Sequence, residues 1–87
     1  MSDINQITGR QLAAARALVG IGQVELAASA RVSAPTLRRM ESSDGMITGM
    51  ANNVAAIITE LERLGVEFLD GDYAGSGGPG VRLRDKP

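Results

Sequence analysis

The clearest pattern of apolar and polar positions lies in the second half of the chain. Apolar residues there recur mostly three and four positions apart, as they do along one face of a helix. Gly65 follows the last of them and is a natural helix stop. The pattern predicts an amphipathic helix over residues 49–64, with a buried stripe made of Met50, Val54, Ile57, Ile58, Leu61 and Leu64.

A shorter helix is predicted near the start of the chain. Thr8 and Gln11 have the spacing of a capping box, in which each side chain bonds the backbone N–H of the other residue. Gly20 supplies the stop. These signals predict a first helix over Gly9–Val19, with Leu12, Ala15 and Val19 on one face.

The segment QVELAASA, residues 23–30, predicts a second helix. Its apolar stripe is expected to contain Val24, Ala27 and Ala28, with Leu26 beside them. Alanine is small, so this helix can approach a neighbouring helix closely.

A third helix is predicted directly after the turn sequence RVS. Ser33 is a typical N-cap, whose hydroxyl can accept a hydrogen bond from the Thr36 amide. Pro35 falls in the first turn, where its missing N–H costs nothing. We expect this helix over Ala34–Glu41, with Leu37 and Met40 buried.

The periodicity changes to alternation after Gly65. The segments VEFL, residues 66–69, and VRLR, residues 81–84, predict two short strands on either side of a glycine-rich loop. Residues 66–84 are therefore expected to form a β-hairpin, in which Glu67 faces either Arg82 or Arg84. A two-stranded ribbon is marginal alone, so the hairpin must pack on the helices or pair with a second chain.

These elements define a mainly α fold of four helices followed by a short C-terminal β-hairpin. The 87 residues suit one domain, with the helices in residues 8–64. Because the chain has no Cys and no His, we expect no enzyme, no cofactor and no metal. No apolar run reaches the ~18 residues of a membrane span, and no signal-peptide pattern opens the chain. We therefore expect no membrane partner and a cytoplasmic location.

The charge of the chain is divided unevenly along its length. The formal net charge is −1, but residues 1–41 carry five arginines against three acidic residues. Residues 42–87 carry four basic residues against seven acidic ones. The first half is thus the basic half, and all its positive charge is arginine, whose planar fork matches phosphate groups and guanine edges.

The second and third helices carry a resemblance to a known family. The segment GQVELAASARVSAPTLRRME resembles the lambda-repressor-like (XRE-type) helix-turn-helix family, and the preceding AAARALVG is similar to the first helix of that family. The resemblance covers residues 8–64. The matching positions are Gln23, Glu25, Leu26 and Ala27 in the second helix, and Val32, Ser33, Thr36, Leu37, Met40 and Glu41 around the third.

The resemblance implies a small bacterial transcriptional regulator that binds double-stranded DNA. The third helix would enter the major groove as the recognition helix, and a dimer would bind a palindromic operator. Gln23 would hold a phosphate, and Ser33 and Thr36 would contact the DNA backbone or base edges. Arg39 would read a guanine, and Arg38 would hold a phosphate. Ala34 and Pro35 occupy positions where many members place a base-reading side chain.

Several alternatives remain open at this stage. Arg31 stands where the family usually has glycine, so it would be strained by of order 1 kcal/mol if its φ is positive. Ala34 and Pro35 offer few hydrogen-bonding groups, so readout could depend on thymine methyl groups or DNA shape. Arg16 could pair with Glu25 or with Glu41. A dimer could form through the fourth helix and the hairpin.

A rival interpretation keeps the fold and changes the partner. A helix-turn-helix protein with an acidic net charge can act as an antiactivator, which binds another regulator or RNA polymerase instead of DNA. In that case Arg38 and Arg39 would belong to an ordinary solvated helix face.

Overall fold

The structure is a computed structural model that describes residues 7–43, 45–47, 49–69 and 79–84. Within these residues the chain forms four helices and then an antiparallel pair of strands, which confirms the expected fold class. The glycine-rich loop expected between the strands lies almost entirely outside the described residues. The elements are α1 (Gly9–Val19), α2 (Gln23–Ala30), α3 (Ala34–Glu41), α4 (Ala51–Arg63), β1 (Val66–Leu69) and β2 (Gly80–Leu83).

The caps of the first and third helices form as the sequence predicts. The Thr8 N–H donates to Gln11 Oε1 at 2.8 Å, and the Gln11 N–H donates to Thr8 Oγ1 at 3.1 Å. Gly20 ends α1 with a left-handed φ of 72°. Ser33 Oγ accepts a hydrogen bond from the Thr36 N–H at 3.2 Å. Each of these signals is local, so the sequence placed the bounds of α1, α2 and α3 correctly.

Two predicted elements, α4 and β2, have both boundaries wrong by one or two residues, and α4 ends at Arg63 instead of residue 64. The fourth helix begins at Ala51 because Gly49 has a φ of 141°, which a helix cannot contain. Met50 is consequently an extended N-cap residue with 66% of its surface exposed, and it does not belong to the buried stripe. The second strand begins at Gly80, one residue earlier than predicted, and ends at Leu83.

The predicted apolar stripe of α2 is also wrong. Val24 is 67% exposed and Ala28 is exposed, whereas Leu26 and Ala27 are buried. Apolar residues occur all round this short helix, so their spacing does not single out one face. The buried face is set instead by α3 and α4, which both pack against α2.

The core lies between the four helices and β1. Its largest fully buried side chains are Leu12, Leu26, Leu37, Met40, Ile57, Leu61 and Val66. The hairpin covers one side of this core by packing on α1 and α4. Within the hairpin Glu67 pairs with Arg82, as one of the two expected alternatives, while Arg84 donates to the Glu62 carbonyl at 2.7 Å.

Gly9 allows the start of α1 to lie against the end of α3. A Cβ at this position would lie 2.4 Å from the Met40 carbonyl oxygen and 2.9 Å from those of Glu41 and Ser43. The Gly9 N–H also donates to the Gly45 carbonyl at 3.2 Å. The positive end of the α1 dipole therefore faces the carbonyl-rich end of α3, which is a favourable arrangement.

Gln11 connects the start of α1 to the hairpin. Its side chain is buried, and its Nε2 donates to the Leu69 carbonyl at 3.1 Å and to the Gly80 carbonyl at 2.9 Å. Its Oε1 is already used by the capping box. One amide thus caps α1 and also bonds the last residue of β1 and the first residue of β2.

We expect Gln11→Glu to loosen the hairpin while keeping the helix cap. The carboxylate can still accept the Thr8 N–H, but it places negative charge against two carbonyl oxygens that lose their donor. The free energy of unfolding should fall by about 2 kcal/mol at neutral pH. Near pH 4 the protonated side chain regains a donor, so the difference from wild type should shrink. Urea denaturation of both proteins at the two pH values measures this, and an equal difference at both would contradict it.

Candidate nucleic-acid interface

A three-residue turn, residues 31–33, joins α2 to α3. The Arg31 N–H donates to the Ala28 carbonyl at 3.1 Å, and the Val32 N–H donates to the Ala27 carbonyl at 2.9 Å. This pair of bonds is the Schellman motif, which needs a left-handed residue after the helix. Arg31 is that residue, with φ 60° and ψ 41°. The strain expected for a positive φ at this position, of order 1 kcal/mol relative to glycine, is therefore present.

The polar side chains at the start of α3 bond to one another. Ser33 Oγ donates to Thr36 Oγ1 at 2.7 Å, because residues three apart lie on the same face of a helix. Thr36 Oγ1 also accepts a longer bond from Arg39 Nη2, at 3.4 Å. The Arg39 guanidinium is thereby turned back toward the N-terminal end of α3, as side chains in helices commonly are.

The two faces of α3 differ sharply. Leu37 and Met40 are buried in the core, as the sequence predicts. Pro35, Arg38 and Arg39 are exposed. The remaining residues of the predicted site are Ser33, which is exposed, and Gln23, Ala34 and Thr36, which are half-buried, with Ala34 packed against the core.

Glu41 joins the three helices around the turn. Its carboxylate accepts Arg16 Nε at 2.7 Å and Arg16 Nη2 at 3.0 Å, so the pair is bidentate. The hydrogen bond to Glu41 raises the pKa of Arg16, which keeps the guanidinium charged. Of the two partners considered for Arg16, the structure therefore selects Glu41. The alternative, Glu25, instead accepts the Gly22 N–H at 3.3 Å.

Gln23 is the first residue of α2, the helix end at which its predicted phosphate contact would form. Its Nε2 donates to Glu41 Oε1 at 2.9 Å, so the amide donor is bonded within the protein. A phosphate at this end of α2 would be held chiefly by the free N–H groups of the first helical turn. The Gln23 side chain thus connects the start of α2 to the end of α3.

The described arginines fall into two groups, those that pair with a carboxylate and those that do not. Arg16, Arg63 and Arg82 each pair with a glutamate. In contrast, Arg31, Arg38 and Arg39 form no ion pair with any carboxylate in the described part of the chain. These three side chains are exposed, and they make the α2–α3 surface positive although the chain as a whole is slightly acidic. Arg10 and Arg84 also belong to the second group.

Two residues of this surface were absent from the predicted set. Glu41 was regarded as structural, and the structure adds that it fixes α3 relative to α1 and α2. Arg31 was noted only as a possible source of strain, and the structure places its side chain on the exposed turn. The family spacing pointed to both positions, but only the folded chain identifies their partners.

Neither models of known protein families nor curated proteins give a match to this chain. The described residues contain no group of three His, Cys, Asp or Glu side chains able to hold a metal ion. Among these residues no single helix has the length and apolar character to cross a membrane, although α1 and α2 together, bent by 101°, meet that test by length and composition. The α2–α3 surface, with its exposed arginines, is therefore the candidate functional site.

Proposed function

We propose that this protein is a sequence-specific, double-stranded DNA-binding transcriptional regulator of the lambda-repressor-like helix-turn-helix kind. One observation carries the proposal: α3 buries Leu37 and Met40 and directs Arg38 and Arg39 outward without carboxylate partners. Unpaired arginines on one face of a helix are the electrostatic requirement for nucleic-acid binding. The chain would act as a binding protein and not as an enzyme, and its place would be the cytoplasm, where an operator is accessible.

The dimensions of α3 support its role as the recognition helix. An α-helix with its side chains is about 10–12 Å across, so α3 fits the major groove, which is about 12 Å wide. Arg39, which bonds back toward the N-terminal end of α3, would reach a guanine edge, and Arg38 would bind a phosphate. Ser33 and Thr36 add hydroxyl groups at the same end, while Ala34 and Pro35 contribute only apolar contact.

A homodimer would complete the interface. Two recognition helices related by a two-fold axis would read half-sites about 34 Å apart, which is one turn of DNA. The thin core of an 87-residue chain and the exposed second strand favour α4 and the hairpin as the dimer surface. Selection of bound duplexes from a random pool is expected to return palindromes with that spacing, and an unrelated set of sequences would refute sequence-specific binding.

Arg39→Ala and Arg38→Ala should have different effects on DNA binding. Loss of a guanine contact should relax the sequence preference and cost about 1–3 kcal/mol on the selected operator only. Loss of a phosphate contact should weaken operator and random DNA alike and reduce the salt dependence of binding. Salt titrations followed by fluorescence anisotropy measure both effects. The matched control is Arg10→Ala on α1, an exposed arginine that belongs neither to α3 nor to α4.

A second function fits one feature of the surface. Ala34 is half-buried and Pro35 has no N–H, so the start of α3 offers few groups for base recognition. Val24 and Leu18 are exposed apolar side chains on the two preceding helices. An antiactivator that binds another regulator or RNA polymerase would use such a surface. Failure of the wild-type protein to bind any duplex at low salt would favour this second function.

A further inference from the structure

Arg31 has an unfavourable backbone conformation, and no other described residue explains why arginine and not glycine stands at this helix end. It is the one non-glycine residue with a positive φ in the described residues. α1 ends with the same kind of left-handed residue, Gly20, which adopts its φ of 72° without strain. The chain thus uses glycine at one helix stop and arginine at the next, although glycine would suit both.

The Arg31 side chain makes no polar bond with the described residues that would offset this strain. The bonds that end α2 are made by the backbone N–H groups of Arg31 and Val32, and glycine would make them equally well. The guanidinium is exposed, and it forms no hydrogen bond or ion pair with any other described residue. A strained residue whose side chain makes no polar bond within the described residues points to a requirement outside the folded chain.

The position of Arg31 points to an anion outside the chain as its partner. It lies two residues before the Ser33 cap, so it stands beside the N-terminal end of α3, which is the end that enters the groove in the proposed function. Arg38 and Arg39 lie on the following helix and are likewise exposed and without carboxylate partners. Across the groove the nearest groups to a residue beside the recognition helix are the phosphates of the DNA backbone.

We propose that Arg31 is an additional phosphate-binding residue, whose guanidinium, held on the α2–α3 turn, contacts the DNA backbone beside the recognition helix. This inference rests on the proposed DNA-binding function. It explains why arginine occupies a position that favours glycine. The strain lowers the stability of the free protein, and the contact with the anion forms only in the complex. Arginine suits that contact because its planar fork binds two phosphate oxygens at once.

Three substitutions at this position separate charge from strain. Arg31→Ala removes the charge and keeps the strain, so binding should weaken about fivefold while the melting temperature stays close to that of wild type. Arg31→Gly removes both, so binding should weaken equally while the melting temperature rises by about 4–8 °C. Arg31→Lys keeps the charge and should retain most of the affinity. Arg10→Ala is the control, because it removes an exposed arginine that lies beside β2 and not on the α2–α3 surface.

The binding probe is a random-sequence duplex of about 20 base pairs, titrated from about 50 to 200 mM salt. For Arg31→Ala and Arg31→Gly the slope of log K against log salt should decrease by about one, as expected for one lost phosphate contact. If wild type and all three variants bind equally, Arg31 has no role in binding and the proposed function stands. If the wild type itself does not bind, both proposals fail. If Arg31→Gly is no more stable than Arg31→Ala, the strain argument is wrong.

Discussion

Replacement of Gly9 by alanine is expected to destabilise the protein by about 2–3 kcal/mol, although alanine is the better helix former. The added methyl group would lie 2.4 Å from the Met40 carbonyl oxygen. Backbone oxygens cannot turn aside as a flexible side chain can, so α1 and the end of α3 must separate. The melting temperature should fall by roughly 10 °C or more, as measured by circular dichroism.

Gly80→Ala is the matched control for this experiment. A Cβ on Gly80 would meet no atom within 4 Å. Its φ is outside the left-handed region, so alanine should be tolerated with little change in stability. Equal melting temperatures for Gly9→Ala and wild type would show that the close approach of α1 and α3 does not exist in solution.

The second large effect is expected for Glu41→Ala. The Glu41 side chain is 7% exposed and that of Arg16 is 23% exposed, so the substitution leaves a largely buried guanidinium without its partner. The Gln23 amide loses its acceptor as well. Removal of one member of a buried pair costs about 3–5 kcal/mol, and the remaining access of Arg16 to water reduces this to about 2–3 kcal/mol. Urea denaturation measures the change.

The double variant Arg16→Met/Glu41→Leu tests the cause of that loss. Because it removes both charges together, it should recover part of the stability that Glu41→Ala loses. Glu60→Gln serves as a control at an exposed pair, where the hydrogen bond from Arg63 lowers the pKa of Glu60 but water screens the interaction. A double variant no more stable than Glu41→Ala would mean that the unpaired charge is not the source of the effect.

Local signals in the sequence were enough to place most elements of this fold. Thr8 with Gln11, Ser33 with Thr36, and Gly20 each act within one helical turn, and the helices that they delimit were predicted at the correct residues. The alternation of residues 66–69 likewise identified β1. Local hydrogen bonds and backbone preferences determine these features, so no knowledge of the tertiary structure was needed.

Features that depend on distant parts of the chain were not predictable in this way. The alanine-rich α2 gave no indication that Leu26 and not Val24 faces the core, because the neighbouring helices decide it. The choice of Glu41 as the partner of Arg16 depends on how α3 crosses α1. For the candidate site, the sequence identified the exposed arginines of α3 but not Glu41 as the partner of the Gln23 amide.

The Gln11 amide has a consequence for how the chain folds during synthesis. Its two acceptors lie 58 and 69 residues further along the chain. A ribosome adds residues one by one, so α1 emerges long before the carbonyl groups that its buried amide requires. The two bonds from Gln11 to the hairpin can therefore form only after β2 has been translated, whereas the packing of α1 on α3 needs no part of the hairpin.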